Sequence, residues 1–438
     1  MAFEYVNADS APGDAVTYTE ALDRISSLAG RGWRLELDRM EEFALRAGLE
    51  SALGLGSPRY VHIAGTNGKG TVTALTESIL RAHGVRTGAF FSPYVVDPRE
   101  RWQSMGAMIA PEDLADEVER LWPVAESMSA TPFGGVTEFE FKTALGLAYW
   151  QRKGCEWVAL EVGLGGRLDA TNIVVGGVAV LVSIGLDHTA ILGDTHAKIA
   201  TEKAGIFKRG RPAIVGEVTE EAWDAIQAVA DRVGVPVWRY GRDVHAELLS
   251  DGWAVHTPRG SVTGLRPYLA GPHVASNLSC AVAACARIGF LDEDAVRCGA
   301  ESARAPGRFQ VTFRNGRTWI LDGAHNAESA QALARRLQTD FPGRPYRLVA
   351  NLVGGHDPGA FLAAFEPVEV LVPPIDFSRT RVPTETARVA EALGRRARPQ
   401  ETLLDALETA DQAPPTDLGV VSGSFYLVGE ALRSRFFS

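Results

Sequence analysis

The stretch Gly65-Thr66-Asn67-Gly68-Lys69-Gly70-Thr71 sets one ammonium and two hydroxyls on a glycine-rich turn. A short apolar run beginning at Val61 enters it, and a helix-compatible run from Val72 to Ala82 leaves it. A turn between strand and helix lets backbone N–H groups converge on phosphate oxygens, and the helix N-terminus adds partial positive charge. In such a loop Lys69 can reach terminal phosphates and Thr71 can offer its hydroxyl to Mg2+. The usual spacing puts Ser or Thr directly after Gly-Lys, whereas here Gly70 intervenes. A glycine-rich surface turn is the competing reading.

Three further groups have types and positions suited to the same chemistry. Glu161 ends the apolar run Trp157–Val162 and precedes the glycine-rich segment from Gly163 to Gly166. A carboxylate outside the carboxyl end of a strand, beside a phosphate loop, is suited to Mg2+. His188 holds the same place after the next run, Val178–Ile184, with Asp187 beside it, which favours a metal or phosphate role. Lys203 reads on its own as an ordinary solvated helical lysine. Later, Asp322-Gly323-Ala324-His325-Asn326 lies between a strand and a helix, and Arg308 follows a Pro-Gly break from which it can reach a phosphate.

Positioning these groups requires alternating strands and helices. Strands are expected at Trp157–Val162, Val178–Ile184 and Pro212–Val215, and helices at Phe139–Trp150 and Thr195–Ala204. That alternation predicts a mostly parallel sheet with helices on both faces. Thr17 to Leu49 reads as helices broken over Gly32–Met40, and Tyr240–Val262 as a β-hairpin excursion. Helices return at Ser276–Ile288 and Asp292–Ala303. After Ala305-Pro306-Gly307-Arg308 a second α/β pattern begins. Its strands are expected at Thr318–Leu321, Tyr346–Ala350, Val368–Val372 and Gly419–Val421, with helices at Ser329–Leu337 and Asp357–Ala364. The division expected is residues 1–305 and 306–438.

With 438 residues, 46% hydrophobic and 22% charged, the chain has the composition of a soluble globular protein of two domains. A net charge of −10 without a basic stripe argues against nucleic-acid binding. Cys155, Cys280, Cys285 and Cys298 show no zinc-ligand spacing and fit a reducing, cytoplasmic compartment. Met1–Val16 does not read as a signal peptide, and no later run approaches a membrane span.

Taken together these blocks resemble the folylpolyglutamate synthase/dihydrofolate synthase family of the Mur ligase superfamily. The resemblance rests on Gly65–Thr71, Leu160–Asn172, Ser183–Thr189 with Glu202–Ile206, Pro306–Arg308 and Leu321–Asn326, and extends to Gly423–Glu430. It implies an N-terminal P-loop domain and a smaller C-terminal α/β, Rossmann-like domain. The activity implied is ATP-dependent amide formation between a folate or pteroate carboxylate and L-glutamate, through an acyl phosphate.

The same resemblance implies the site. Gly65, Thr66, Asn67, Gly68, Lys69, Gly70 and Thr71 with Asn277, Arg308 and Asp322 bind ATP. Thr71, Ser92 and Glu161 serve one Mg2+ and His188 a second. Lys203 becomes a carbamate that supports Mg2+, which reverses its reading as a solvated lysine and requires it to be shielded, with a depressed pKa. His325 lies near the glutamate side, so Lys69, His188, Lys203 and His325 form the catalytic set. A monomer is implied, with no nucleic-acid or membrane partner.

Two departures stand out. The family's Ser-Pro-His-Leu is Ser92-Pro93-Tyr94-Val95 here, and Gly354-Gly355-His356-Asp357 replaces a more lysine-bearing loop. Tyr94 leaves the acceptor open, and with it dihydrofolate synthesis, polyglutamate synthesis, or both. A Mur-type ligase for another carboxylate, a non-catalytic nucleotide-binding protein and a P-loop kinase are the alternatives. The kinase reading leaves the second domain unexplained.

Overall fold

The computed structural model describes residues 16–31, 36–54, 56, 58–269, 273–377 and 380–437. The expected break at Gly32–Met40 lies partly outside these residues, as does the N-terminal stretch to residue 15. Where the break is described it ends early, because a helix resumes at Asp38–Arg46.

The N-terminal half is built on an eight-stranded sheet. Its spatial order is Ala107–Met108, Trp102–Ser104, Thr87–Phe90, Trp157–Glu161, Arg59–Ala64, Val178–Ser183, Ala213–Glu217 and Val237–Arg239. The last six are mutually parallel, and the first two form an antiparallel edge. Strands such as Val-Ala-Val-Leu-Val are apolar throughout because helices cover both faces. On one side the helix Lys69–Ala82 packs against Val274–Arg287 and Glu293–Ser302. The approach is close: a Cβ on Gly299 would lie 2.5 Å from the Ile79 Cα. On another side the helices Tyr18–Ser27, Asp38–Arg46, Pro111–Met128 and Glu138–Arg152 enclose a second core. There Arg39 donates to Glu140 at 2.8 Å, both nearly fully buried, while Glu140 also closes the capping box of its own helix with Thr137.

The helix after the phosphate loop begins at Lys69, three residues earlier than its apolar run suggests. Gly68 is left-handed (φ 82°) and turns the chain so that Lys69, Gly70 and Thr71 form the first helical turn. The expected hairpin is a three-stranded antiparallel sheet, His245–Leu249, Gly252–Thr257 and Gly260–Leu265. Its third strand escapes a sequence reading because only Val262 and Leu265 of Gly260–Leu265 are buried.

The C-terminal half holds a six-stranded sheet in the order Gln310–Arg314, Arg317–Leu321, Leu418–Ser422, Tyr346–Ala350, Glu369–Val372 and Ala397–Pro399. All neighbours are parallel except the first pair. Cores on both faces make this a second α/β layer sandwich. Among the described residues no helix is long and apolar enough to cross a membrane.

Candidate active site

Register brings the chemistry to one sheet edge. Ile63 pairs with Glu161 and with Val180, so the ends of three central strands are level. From that edge emerge the phosphate loop, the segment after Glu161, and the segment from Ser183 to His188. Ligands of parallel α/β sheets lie outside the carboxyl ends of the strands, where this crevice opens.

The phosphate loop is strapped to the neighbouring segment. Thr66 N–H donates to the Ser183 carbonyl at 2.9 Å, and Gly185 N–H donates to the Thr66 hydroxyl at 2.9 Å. Asn67 N–H donates to the Ser183 hydroxyl at 3.0 Å, and that hydroxyl returns a bond to the Asn67 carbonyl at 2.9 Å. Four hydrogen bonds therefore tie the loop to the start of the segment that carries Asp187 and His188.

Two lysines converge on it. Lys69 Nζ donates to the Gly65 and Thr66 carbonyls at 3.0 and 3.3 Å, and Lys203 Nζ donates to the same Gly65 carbonyl at 3.1 Å. Lys203 is buried, and burial together with the Lys69 charge lowers its pKa to about 7. Burial likewise lowers Lys69, against the pull of Glu161 and Asp187. Glu161 is buried and its carboxyl pKa is raised by burial, which Lys69 and Arg308 oppose. The bond Glu161 receives from Ser92 comes from the backbone N–H, at 3.1 Å.

The C-terminal domain closes the crevice. A Cβ on Gly70 would lie 2.1 Å from Arg308 Nη2, so the guanidinium rests directly over the first helical turn. That explains the extra glycine: it is the space Arg308 fills. The Arg308 guanidinium also stacks on Phe425, at 4.8 Å. Asp322 accepts from Phe309 N–H at 2.8 Å and Ala324 N–H at 2.9 Å, holding the left-handed Phe309 (φ 49°) beside Arg308. Burial raises the Asp322 pKa against these bonds. Asn277, in the N-terminal domain, packs on the loop: a Cβ on Gly68 would lie 2.6 Å from its Oδ1.

Around Asp187 gather residues that the sequence reading did not connect. Asn326 Nδ2 donates to Asp187 at 3.1 Å, His325 Nε2 lies 3.7 Å from it and His356 Nδ1 3.9 Å. Burial opposes ionisation of Asp187, yet hydrogen bonding and charge from His325, with His188 and His356, hold its carboxyl well below the usual range. The His325 and His356 rings meet edge to face at 4.9 Å, and His188 meets His356 at 6.2 Å. His188 itself is left-handed (φ 49°), an uncommon backbone state for a non-glycine residue. Asn67 Nδ2 donates to Glu328 at 3.0 Å, a second contact across the crevice. His356 gave a sequence signal through the unusual Gly-Gly-His-Asp loop; Glu328 gave none.

Among the described residues no group of three or more His, Cys, Asp or Glu side chains is arranged to hold a metal ion alone. The donor set instead suits Mg2+, which keeps waters and substrate phosphates and takes few protein ligands. Buried Glu161, with only one hydrogen bond from a backbone amide, is the carboxylate such an ion would meet.

This crevice between a P-loop sheet and a second α/β domain is that of a Mur ligase. The Mur ligase middle domain matches residues 125–285, and the Mur ligase glutamate ligase domain matches residues 307–425. The dihydrofolate synthase/folylpolyglutamate synthase of Escherichia coli is 37% identical over 319 residues, 72% of each chain. The structure of E. coli FolC in complex with DHPP and ADP superposes with a TM-score of 0.86 at 32% identity, covering 96% of this chain and 98% of that one. A Yersinia pestis bifunctional folylpolyglutamate synthase/dihydrofolate synthase, complexed with AMPPNP and a Mn ion, gives 0.83 at 31% identity over 97% and 99%. The chain belongs to the folylpolyglutamate synthase/dihydrofolate synthase family and is an ATP-dependent acid–amino-acid ligase.

Proposed function

We propose that the protein joins L-glutamate to the carboxylate of a folate or dihydropteroate at the expense of ATP. The observation that carries this reading is the seating of Arg308 over Gly70, which puts a second cation from the far domain onto the phosphate loop. A free carboxylate is a poor electrophile. Its oxygen attacks the γ-phosphorus, the bond to the β-phosphate oxygen breaks, and ADP leaves. The glutamate amine then attacks the acyl carbon, the C–O bond to phosphate breaks, and the amide forms with loss of a proton. The protein's part is to position three anions and offset their charge.

In this reading Gly65 to Thr71 wrap the phosphates, and Lys69 exchanges its loop carbonyls for phosphate oxygens. Arg308 and Asn277 flank the nucleotide, while Asp322 holds the Arg308 turn. Thr71, Ser92 and Glu161 hold one Mg2+ ion and His188 a second, and bound Mg2+ supplies Lewis-acid neutralisation of phosphate charge. Carbamylated Lys203 adds an anionic ligand; its burial and low pKa support an amine that is neutral often enough to take up CO2. His325, beside Asp187, faces the glutamate side. Tyr94 lies half-buried in the acceptor loop, whose Val95, Val96 and Asp97 amides all bond to Glu100 at 2.8–3.0 Å.

The domain division proposed is 1–305 and 306–438. A monomer is proposed with it, as the family resemblance implies, and a cytoplasmic compartment, supported by four free cysteines, three of them buried. The deciding experiment measures ADP release with Mg-ATP and L-glutamate across dihydropteroate, tetrahydrofolate and folate diglutamate. ADP release stimulated by at least one of them is expected. No stimulation by any would overturn the folate assignment.

A further inference from the structure

At the opposite end of the N-terminal sheet lies a cleft of about 390 Å³, lined by Gly54, Arg59, Trp157, Gly177, Arg211 and Arg287 among others. Arg59 and Trp157 are the first residues of their strands, while Gly177 and Pro212 immediately precede theirs. The cleft therefore opens at the amino ends. Strands of five to six residues put it roughly 15–20 Å from the active-site edge. Its volume is within the range of small-ligand pockets.

Three arginines, Arg59, Arg211 and Arg287, line this one concavity, and among the described residues none of their side chains makes a hydrogen bond or ion pair. Two lie over aromatic rings instead: Arg59 over Trp157 at 5.8 Å, and Arg287 over Trp238 at 4.4 Å. A cation–π contact of this kind uses the charge without using up the N–H donors, which stay available to an oxyanion. The neighbouring carboxylate, Glu156, is already engaged by the Arg86 amide at 3.0 Å and its side chain at 3.9 Å. Arg259 adds further positive charge, and burial with that charge lowers the Arg287 pKa. Arg287 also ends its helix, where the carbonyl dipole offsets part of one charge. The rest is uncompensated in a chain of net charge −10.

We propose that this cleft is a second anion site, which takes a small polyanion of the phosphate class. Arginine forks match phosphate oxygens two at a time, and three of them suit more than one phosphate group. The site is separate from the P-loop and shares none of its residues.

The test is calorimetric titration of the metal-free full-length protein with tripolyphosphate. Two classes of site are expected. In the Arg59→Gln/Arg287→Gln variant one class weakens by about tenfold or more, while substrate-dependent ADP formation stays at the wild-type rate. In Lys69→Ala the other class weakens instead. Should the double variant fold poorly, by circular dichroism, the single Arg211→Glu change, at an exposed position, is expected to produce the same selective loss. Binding that is unaltered in the arginine variants, or that chloride at matched ionic strength removes as well as tripolyphosphate competes for it, overturns the proposal.

Discussion

Gly70 and Arg308 belong to different domains yet occupy one space, with 2.1 Å between the arginine's terminal nitrogen and the position a Gly70 side chain would take. A glycine that looked like an irregularity of the phosphate loop is a socket for a cation from the other half of the chain.

Gly70→Ala should therefore fold, because the obstructing atom is the far end of a flexible side chain and alanine favours the helix by about 1 kcal/mol over glycine. Arg308 would be displaced, and KM for ATP should rise about tenfold, the worth of one charge-assisted phosphate contact. The Gly70→Ala/Arg308→Ala double variant should be no worse than Arg308→Ala alone. Additive losses in steady-state kinetics would show that the two residues act independently.

Lys203, with a pKa of about 7, should take up CO2 increasingly as pH rises through neutrality, since only the neutral amine reacts. With 13C-bicarbonate, a carbamate carbon signal should grow from about pH 6 to about pH 8 and be missing in Lys203→Ala. Activity should follow the same rise. An active preparation without that signal at any pH would remove carbamylation from the mechanism.

Glu161 is held back from ionisation by its burial, and a bound divalent cation would reverse that. EDTA should abolish ADP release, and Mg2+ or Mn2+ should restore it. Glu161→Gln keeps the shape but loses the charge, and should raise the Mg2+ concentration for half-maximal rate at least about tenfold. An unchanged Mg2+ requirement would place the ion elsewhere.

His62 sits in the strand that feeds the phosphate loop, fully buried, its Nε2 2.9 Å from the Thr171 hydroxyl. Burial, aided by Lys208, lowers its pKa from 6.5 to about 3. The unfolded chain thus binds a proton in a window where the folded chain does not. Its contribution is fully present above about pH 6.5 and is lost as pH falls toward about 3, with a limiting slope of about 1.4 kcal/mol per pH unit. Urea unfolding across that window should show His62→Asn to be less pH-sensitive than wild type. Parallel profiles would assign the acid sensitivity to other groups.

The catalytic edge was legible because buried parallel strands are apolar runs that end abruptly in polar residues, as at Glu161 and after Ser183. The start of the loop helix at Lys69 was not, since its first turn is polar and carries no periodic signal. The edge strand Gln310–Arg314 escaped notice because Val311 and Phe313 face solvent, Phe313 at 75% exposure, so its alternation gives no buried face to read. The helix Pro111–Met128 has proline inside it, at Pro123, which reads as a breaker. Contacts across the crevice had no sequence trace: Asn67 and Glu328 are 261 residues apart, and Asp187 and Asn326 139. Their polar types were visible, but only the packing of two domains makes them partners.

The carbonyl oxygen of Gly65 takes a hydrogen bond from Lys69 and another from Lys203. Two cations of the site thus rest against the protein's own backbone. In the proposed function, phosphate binding by Lys69 is therefore an exchange of partners, and its contribution is the difference between two hydrogen-bonded states.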